Sequence, residues 1–412
     1  MPKRRFFRSL LLAMTMLAAA GAPAASQGPA PTERVAPRST ALRRALDDTL
    51  RRVLDAAVRD RAFPGAFAVV GDHAGILASY GAGHLDWTHT PRPDLHSMWD
   101  LASLTKVIGM TSAMMQLVEQ GKVSLDAPVQ RYLPEWRGPR KAEVTVRMLL
   151  THTSGLPAFR AYDQITTNAD SIAALMMAEP LEAAPDTRYV YSDIGAWLAG
   201  KIVERVSGER LDRYLAEHVF GPLGMHDTMY NPPDSLRPRI APTEVDPRRG
   251  GKLWGKVHDE RAYYLGGISA HAGLFSSGYD LARFAEMYLN GGALGSVRLV
   301  RPQTVIAFTT RQDTALSNRA LGWEKPDGTN SAGHLMSASA FGHTGFTGTS
   351  IWIDPAQDRF IVLLTNRVDP TRNNHKIGAV RVALADALGE AFARDAAAPA
   401  QGEAGAPARR RH

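Results

Sequence analysis

Leu101-Ala102-Ser103-Leu104-Thr105-Lys106 sets a hydroxyl and an amine three positions apart. On a helix, residues at that spacing share a face, with Cβ atoms roughly 5–6 Å apart. A lysine there can hydrogen-bond the serine and take its proton. Serine is a weak nucleophile until an adjacent base activates it. The flanks suit that use. Met98 to Ala102 reads as a short approach, and Val107 to Gln120 as a mainly apolar helix running to Gly121. Ser103 is expected in the first helical turn, where unpaired N–H groups and the positive end of the dipole favour a developing anion. The spacing by itself also fits an ordinary helix start. The rest of the chain decides between the two.

The chain has 412 residues, 44% of them hydrophobic, which is ample for one large domain or two closely joined lobes. It contains no cysteine, which excludes disulfides, thiol nucleophiles and cysteine-ligated metals. The first residues read as a targeting segment: Lys3, Arg4, Arg5 and Arg8 are basic, Leu10 to Ala20 are apolar, and Ala22-Pro23-Ala24 supplies small residues for cleavage. The apolar stretch is too short to span a bilayer. Residues 1–24 are therefore expected to be a signal peptide, of the general secretory or twin-arginine type, and the mature protein to be periplasmic or secreted. The formal net charge of +7 owes four units to those basic residues and two to the tail, so the body is near neutral and nucleic-acid binding is not expected.

Residues 25–40 are rich in Ala, Pro and Ser and read as a linker, 41–394 as one catalytic domain, and 395–412 as a disordered tail. Leu42, Leu46, Leu50 and Leu54 predict an amphipathic helix that Phe63-Pro64-Gly65 ends. Ala66 to Val70 and Ile76 to Tyr80 predict paired strands around a turn at Gly71-Asp72. Further helices are predicted over 193–206, 211–219, 279–289 and 374–393, and strands over 349–353 and 359–365. Residues 231–262, rich in Pro, Gly and charge, read as a long excursion over the surface. Strands at both ends with helices between them predict an α+β fold: one antiparallel sheet built from both chain ends, flanked by helices, plus a mainly helical lobe, with the site between.

Serine–lysine enzymes that handle acyl groups carry two further elements, a second polar motif and a Lys-Thr-Gly-like strand. Tyr191-Ser192-Asp193 opens one predicted helix, and His343-Thr344-Gly345 precedes Phe346-Thr347-Gly348 beside a predicted strand. Their order along the chain is the expected one. On these segments, together with Thr151-His152-Thr153-Ser154-Gly155-Leu156 and Gly273-Leu274-Phe275-Ser276, the sequence resembles the serine β-lactamase and penicillin-binding-protein superfamily. It looks most like the class C β-lactamase-like branch, which holds DD-carboxypeptidases, class C β-lactamases and related esterases. The likeness spans residues 45–390 approximately. Val257-His258-Asp259-Glu260 and His271-Ala272-Gly273 are similar to a subgroup of penicillin-binding proteins and cell-wall-associated homologues.

The resemblance implies a β-lactamase/transpeptidase-like fold with Ser103 as the acylated nucleophile. Lys106 would take its proton or hold Tyr191 reactive, and Tyr191 would pass a proton to the leaving group. A phenol ordinarily ionises near pH 10, so Tyr191 needs cationic neighbours, for which Lys106 and a protonated His343 are the candidates. The N–H groups of Ser103 and Phe346 would form an oxyanion hole, a device typically contributing about 100- to 1000-fold in rate. His343, Thr344, Gly345 and Asp193 would contact substrate. Three departures bear on activity: Asp193 stands where class C β-lactamases carry Asn, His343 stands where they carry Lys, and Ile194 completes no class A Ser-Asp-Asn motif. Histidine titrates near pH 6.5, so His343 is expected to set the acid limb of activity.

Simpler readings stand beside these. Tyr191 also fits an aromatic at a helix start with Asp193 as its N-cap, and His152 a buried structural histidine. His258, Asp259 and His271 match no compact metal motif, so no metal or other cofactor is expected; His258 and His271 are read as candidate pocket residues. Trp254, Tyr263 and Tyr264 fit a small core within the excursion. The sequence thus predicts an exported serine hydrolase acting on a cell-wall peptide ending in D-Ala-D-Ala. The alternatives are an esterase on small acyl esters, a β-lactamase, and a penicillin- or muropeptide-binding protein without turnover. Partners are a small-molecule or cell-wall peptide substrate, with β-lactams as candidate ligands; no membrane span is expected, and the oligomeric state is left open.

Overall fold

The computed structural model describes residues 38–88, 90–312 and 315–397. The proposed signal peptide, nearly all of the linker and the tail beyond residue 397 lie outside the described residues. Ser39 opens helix α1 (Thr40–Arg59) by accepting the Leu42 N–H at 2.9 Å. Leu42, Leu46, Leu50 and Leu54 are all buried, the stripe expected of a helix lying on a core. Strands β1 (Gly65–Asp72) and β2 (Gly75–Gly83) form an antiparallel hairpin. Its turn falls at His73-Ala74 rather than at Gly71-Asp72. A register irregularity between Val70 and Gly71 lets the ladder run on to Asp72, whose side chain then accepts the Ala74 N–H at 2.9 Å.

Strand β3 (Met98–Asp100) leads to helix α2, residues 106–119, a π-helical stretch over Lys106–Thr111 followed by α-helix over Ser112–Glu119. Helix α3 is Asp193–Ser207, closed by Gly208 in the left-handed conformation that glycine adopts without a steric penalty. Strands β4 (Met229–Tyr230) and β5 (Leu274–Ser277) precede helix α4 (Gly278–Leu289), and β6 (Phe341–Thr344), β7 (Ser350–Asp354) and β8 (Arg359–Thr365) precede helix α5 (Ile377–Ala397). Helix α5 starts three residues later than expected, and the Asn374 side-chain Nδ2 before it donates to the Arg61 and Ala62 carbonyls.

The main sheet is antiparallel in the order β6-β7-β8-β1-β2, so strands from both chain ends share it. Alternation along the two central strands defines two cores. Phe67 and Val69 of β1, with Phe360, Val362 and Leu364 of β8, face the helical lobe. Ala66, Ala68 and Val70, with Ile361 and Leu363, face α1 and α5. Covered on both faces, β1 reads as an unbroken apolar run.

A second sheet, β3-β5-β4, was not legible. Its strands have three, four and two residues, too few to show a period. The stretch 231–262 is also not simply a surface excursion: Ile240, Ala241, Leu253, Val257 and Ala262 are buried, and part of it walls the cleft described next. Among the described residues, no helix is long and apolar enough to cross a membrane.

Candidate active site

Ser103 does not sit in the helix but in the tight turn before it. Leu104, Thr105 and Lys106 donate their N–H groups to the carbonyls of Leu101, Ala102 and Ser103, each three residues back. Side chains at i and i+3 eclipse in that geometry, which brings Lys106 directly over Ser103. Lys106 Nζ lies 3.0 Å from Ser103 Oγ. Ala102, just before the serine, has φ +46°, a left-handed conformation that costs an L-residue energy and persists only where its surroundings impose it.

Those surroundings are visible. The buried Asp100 carboxylate accepts the Ala102 N–H at 2.8 Å and the His258 N–H at 2.6 Å. Leu101 N–H donates to Leu274 O on β5 at 2.9 Å. From the loop between β6 and β7, Thr347 Oγ1 donates to Asp100 O at 2.7 Å and Thr349 Oγ1 to Leu101 O at 3.0 Å. The loop docked in this way carries Phe346, which lines the same cleft as Ser103. Among the described residues, neither the Ser103 nor the Phe346 N–H has a hydrogen-bond partner.

Tyr191 arrives from the other side. Ser192, not Asp193, caps α3: its Oγ accepts the Gly195 N–H at 3.1 Å and donates to Pro157 O at 2.7 Å. His152 Nδ1 accepts the Ser192 N–H at 3.0 Å, and its ring packs 4.5 Å from that of Tyr191, so His152 holds the tyrosine segment. The Tyr191 hydroxyl is buried without a hydrogen-bond partner among the described residues. Lys106 Nζ stands 4.9 Å from the Tyr191 ring centroid on one side and the Arg319 guanidinium 5.2 Å from it on another.

Relieved of capping, Asp193 turns both carboxylate oxygens to cations. Oδ1 lies 2.8 Å from Lys106 Nζ and Oδ2 2.7 Å from Arg261 Nη2. Burial alone would raise its pKa; Lys106 and Arg261 outweigh that and hold it well below the usual carboxylate range. Burial alone would likewise depress the Lys106 ammonium, and Asp193, then Tyr191, lift it above the ordinary lysine value. Arg261 Nη2 also donates to Asp259 Oδ2 at 2.8 Å, and Asp259 Oδ1 meets His271 Nε2 at 2.9 Å. Lys106, Asp193, Arg261 and Asp259 form a chain of alternating charge, with His271 hydrogen-bonded to its Asp259 end.

His343 is 2% exposed on β6. Its Nδ1 must donate to the Thr344 carbonyl at 2.8 Å, since a carbonyl only accepts, and its Nε2 is buried without a partner among the described residues. Burial first, then Arg319 and Lys106, push its pKa well below 6.5. The ring is therefore neutral near pH 7, and the cation beside Tyr191 that His343 was expected to supply is Arg319 instead. His271 is buried, with its ring between Ser269 and Asp259; only its carbonyl reaches the site, accepting from Lys106 at 2.9 Å. His258 does line the cleft, pairing with Glu244 at 2.9 Å and stacking 5.6 Å from Phe346. Tyr263 packs with Val257, Ala262 and Ala272 in a small core of its own.

Ser103, Tyr191, Asp193, His258 and Phe346 wall a cleft of about 620 Å³. His343, Thr344, Gly345 and His271 stand outside its wall. Arg261 and Arg319 were missed by sequence reading, because neither belongs to a local pattern and each acquires its partners from segments far away in the chain.

The arrangement falls into the class of active-site-serine hydrolases built on the β-lactamase/transpeptidase-like fold. The family model described as Beta-lactamase matches residues 50–385, and the chain belongs to that family and is a serine hydrolase. A relative from Salmonella schwarzengrund, named "Putative D-alanyl-D-alanine carboxypeptidase", is 34% identical over 319 residues, 70% of this chain and 74% of that protein. A penicillin-binding-protein homologue from Caulobacter crescentus superposes with a TM-score of 0.69 at 21% identity, over 87% of this chain and 100% of its own. EstCE1, described as a hydrolase with promiscuous acyltransferase activity, superposes with a TM-score of 0.68 at 20% identity, over 84% and 99%.

Proposed function

We propose that this serine hydrolase is an exported, penicillin-binding-protein-like DD-carboxypeptidase that acts on cell-wall peptides through an acyl-enzyme on Ser103. The observation that carries the reading is Lys106 Nζ held 3.0 Å from Ser103 Oγ, in a cleft lined by Ser103 and Phe346, whose N–H groups have no hydrogen-bond partner among the described residues. Likeness to the Salmonella relative supports the substrate class, and the basic, then apolar, first residues support export.

Lys106 has three acceptors, Ser103 Oγ, His271 O and Asp193 Oδ1, matching the three N–H groups of an ammonium. The positive charge stays there, and the proton transfer is assigned to Tyr191. Acting as a phenolate whose charge Lys106 and Arg319 offset, Tyr191 takes the Ser103 proton as Oγ attacks the carbonyl carbon of the penultimate D-Ala. The Ser103 and Phe346 N–H groups receive the oxyanion. Tyr191 then gives the proton to the terminal D-Ala nitrogen, the C–N bond breaks, and the shortened peptide remains as the Ser103 ester. Water replaces the departed amine, and the same proton route in reverse releases the peptide carboxylate.

One observation favours an esterase as the second reading. Phe159, Val245 and Phe346 line the cleft while 61%, 47% and 49% exposed, an apolar rim suited to an acyl chain. Incubation of the protein with benzylpenicillin, followed by intact mass over time with Ser103→Ala as control, tests both. A lasting Ser103-dependent adduct, with release of D-Ala from D-Ala-D-Ala peptides, is expected. An adduct that clears with hydrolysed drug would make the protein a β-lactamase, and a lasting adduct without peptide turnover a binding protein. No adduct, with Ser103-dependent ester hydrolysis, would favour the esterase. Labelling that persists in Ser103→Ala would remove Ser103 as nucleophile.

A further inference from the structure

Arg261 is 8% exposed and sits on the short helix Glu260–Tyr264, whose N-cap is Asp259. One of its terminal nitrogens, Nη2, is fully used, donating to Asp193 Oδ2 at 2.7 Å and Asp259 Oδ2 at 2.8 Å. The other, Nη1, is buried with no partner among the described residues, although the side chain lines the cleft beside Ser103. Two carboxylates thus fix the plane of the guanidinium and leave its second edge unanswered. A buried N–H without an acceptor is costly, so such an edge marks a place where an acceptor is expected.

The end of the cleft identifies which part of a substrate that is. Arg319, Tyr191, Lys106, Asp193 and Arg261 follow one another in contact, with Arg319 and Arg261 at opposite ends. Tyr191 serves the leaving group, so the far end belongs to the acyl part. The cleft extends that way too: Phe159 and Arg261 line it, whereas Arg319 and His343 do not. Charge narrows the chemistry. Lys106 and Arg261 are already balanced by Asp193 and Asp259, so a neutral acceptor keeps the balance and a carboxylate upsets it. Asp193 has only acceptor oxygens and both are occupied; it donates nothing to a substrate. Phe159, whose ring lies 5.5 Å from the guanidinium, is 61% exposed, so the side of Arg261 that it covers is next to solvent.

We propose that Arg261 is a specificity-determining residue whose Nη1 donates to an amide carbonyl in the acyl part of the substrate, so that the enzyme selects N-acylaminoacyl over plain alkanoyl donors. The inference rests on Ser103 being the residue acylated in this cleft. The test compares N-acetylglycyl and pentanoyl p-nitrophenyl esters, which have acyl groups of the same length with and without the amide. Each kcat/KM is divided by the ester's own hydroxide-catalysed rate. A hydrogen bond from a charged donor predicts a normalised preference of about tenfold or more for the N-acetylglycyl ester in the wild type. Arg261→Lys keeps a cation for Asp193 and Asp259 but has no second terminal nitrogen, and the preference is expected to fall about tenfold. No preference in the wild type, a measurement that needs no variant, overturns the proposal, as does a preference that survives in Arg261→Lys. Ser103→Ala separates the two levels: if both ester activities persist there, the functional reading falls and this inference with it. Loss of both activities in Ser103→Ala, together with an unaltered preference in Arg261→Lys, removes Arg261 alone.

Discussion

Tyr191 and His343 adjoin each other, with ring centroids 5.8 Å apart, yet their surroundings prepare them for different work. Two cations face the Tyr191 ring, and its hydroxyl is held by no protein group among the described residues. Tyr191→Phe keeps the ring and removes only the hydroxyl proposed to carry the proton, so kcat/KM on a Ser103-dependent ester is expected to fall by about 100-fold or more. A loss below about tenfold would take Tyr191 out of the mechanism. His343 is kept neutral instead, and that predicts a stability effect rather than an acid limb of activity. In the unfolded chain it binds a proton near pH 6.5; folded, it does so only at much lower pH. The unfolded state therefore holds more protons below pH 6.5, and stability falls as pH drops through that value, at about 1.4 kcal/mol per pH unit for one group. His343→Asn keeps a donor for Thr344 O without a titrating ring. Urea unfolding at pH 6.5 and pH 5 is expected to show a smaller loss of stability in this variant than in the wild type. Equal losses would mean that His343 is not buried as a neutral base.

The serine turn and the β6–β7 loop work as one unit, and the contact that joins them depends on a missing side chain. A Cβ at Gly345 would lie 2.1 Å from Thr349 Oγ1 and 2.4 Å from Leu101 O, so any side chain there must push the loop off the serine turn. Gly345→Ala is expected to lower stability by about 1–3 kcal/mol, as overpacking does. It should lower kcat/KM by about 100-fold, because the loop that carries Phe346 would shift relative to the serine turn. Activity within twofold of wild type would show that this docking is not needed for the oxyanion site. Much of the unit could be read in the sequence, since Ser103, Lys106 and the small residues around Phe346 are local patterns. The strain at Ala102 could not, because it is imposed by Asp100, His258 and Thr347, which are brought together only by the fold. For the same reason Asp193 resembled a cap. That role falls to Ser192 through its bonds to Pro157 and Gly195, and only the presence of Arg261 and Lys106 explains the carboxylate.

At the scale of the whole molecule, β1 and β8 belong to two cores at once. Their odd and even residues feed the helical lobe that carries Ser103 and the layer of α1 and α5 that closes the chain. The antiparallel pairing from Ala66–Thr365 to Gly71–Phe360 means that neither core can lose its strands without unpairing the other's. This arrangement predicts one cooperative transition rather than a terminal layer that peels away first. Leu388 of α5 is fully buried in the terminal layer, away from the cleft. Leu388→Ala is expected to cost about 2–5 kcal/mol by leaving a cavity. That loss should appear as the same single transition moved to lower denaturant, with ester hydrolysis and far-ultraviolet circular dichroism lost together. Two transitions, with activity outlasting part of the helix signal, would show that the terminal layer is energetically separate. The sheet would then unite the chain ends in topology but not in stability.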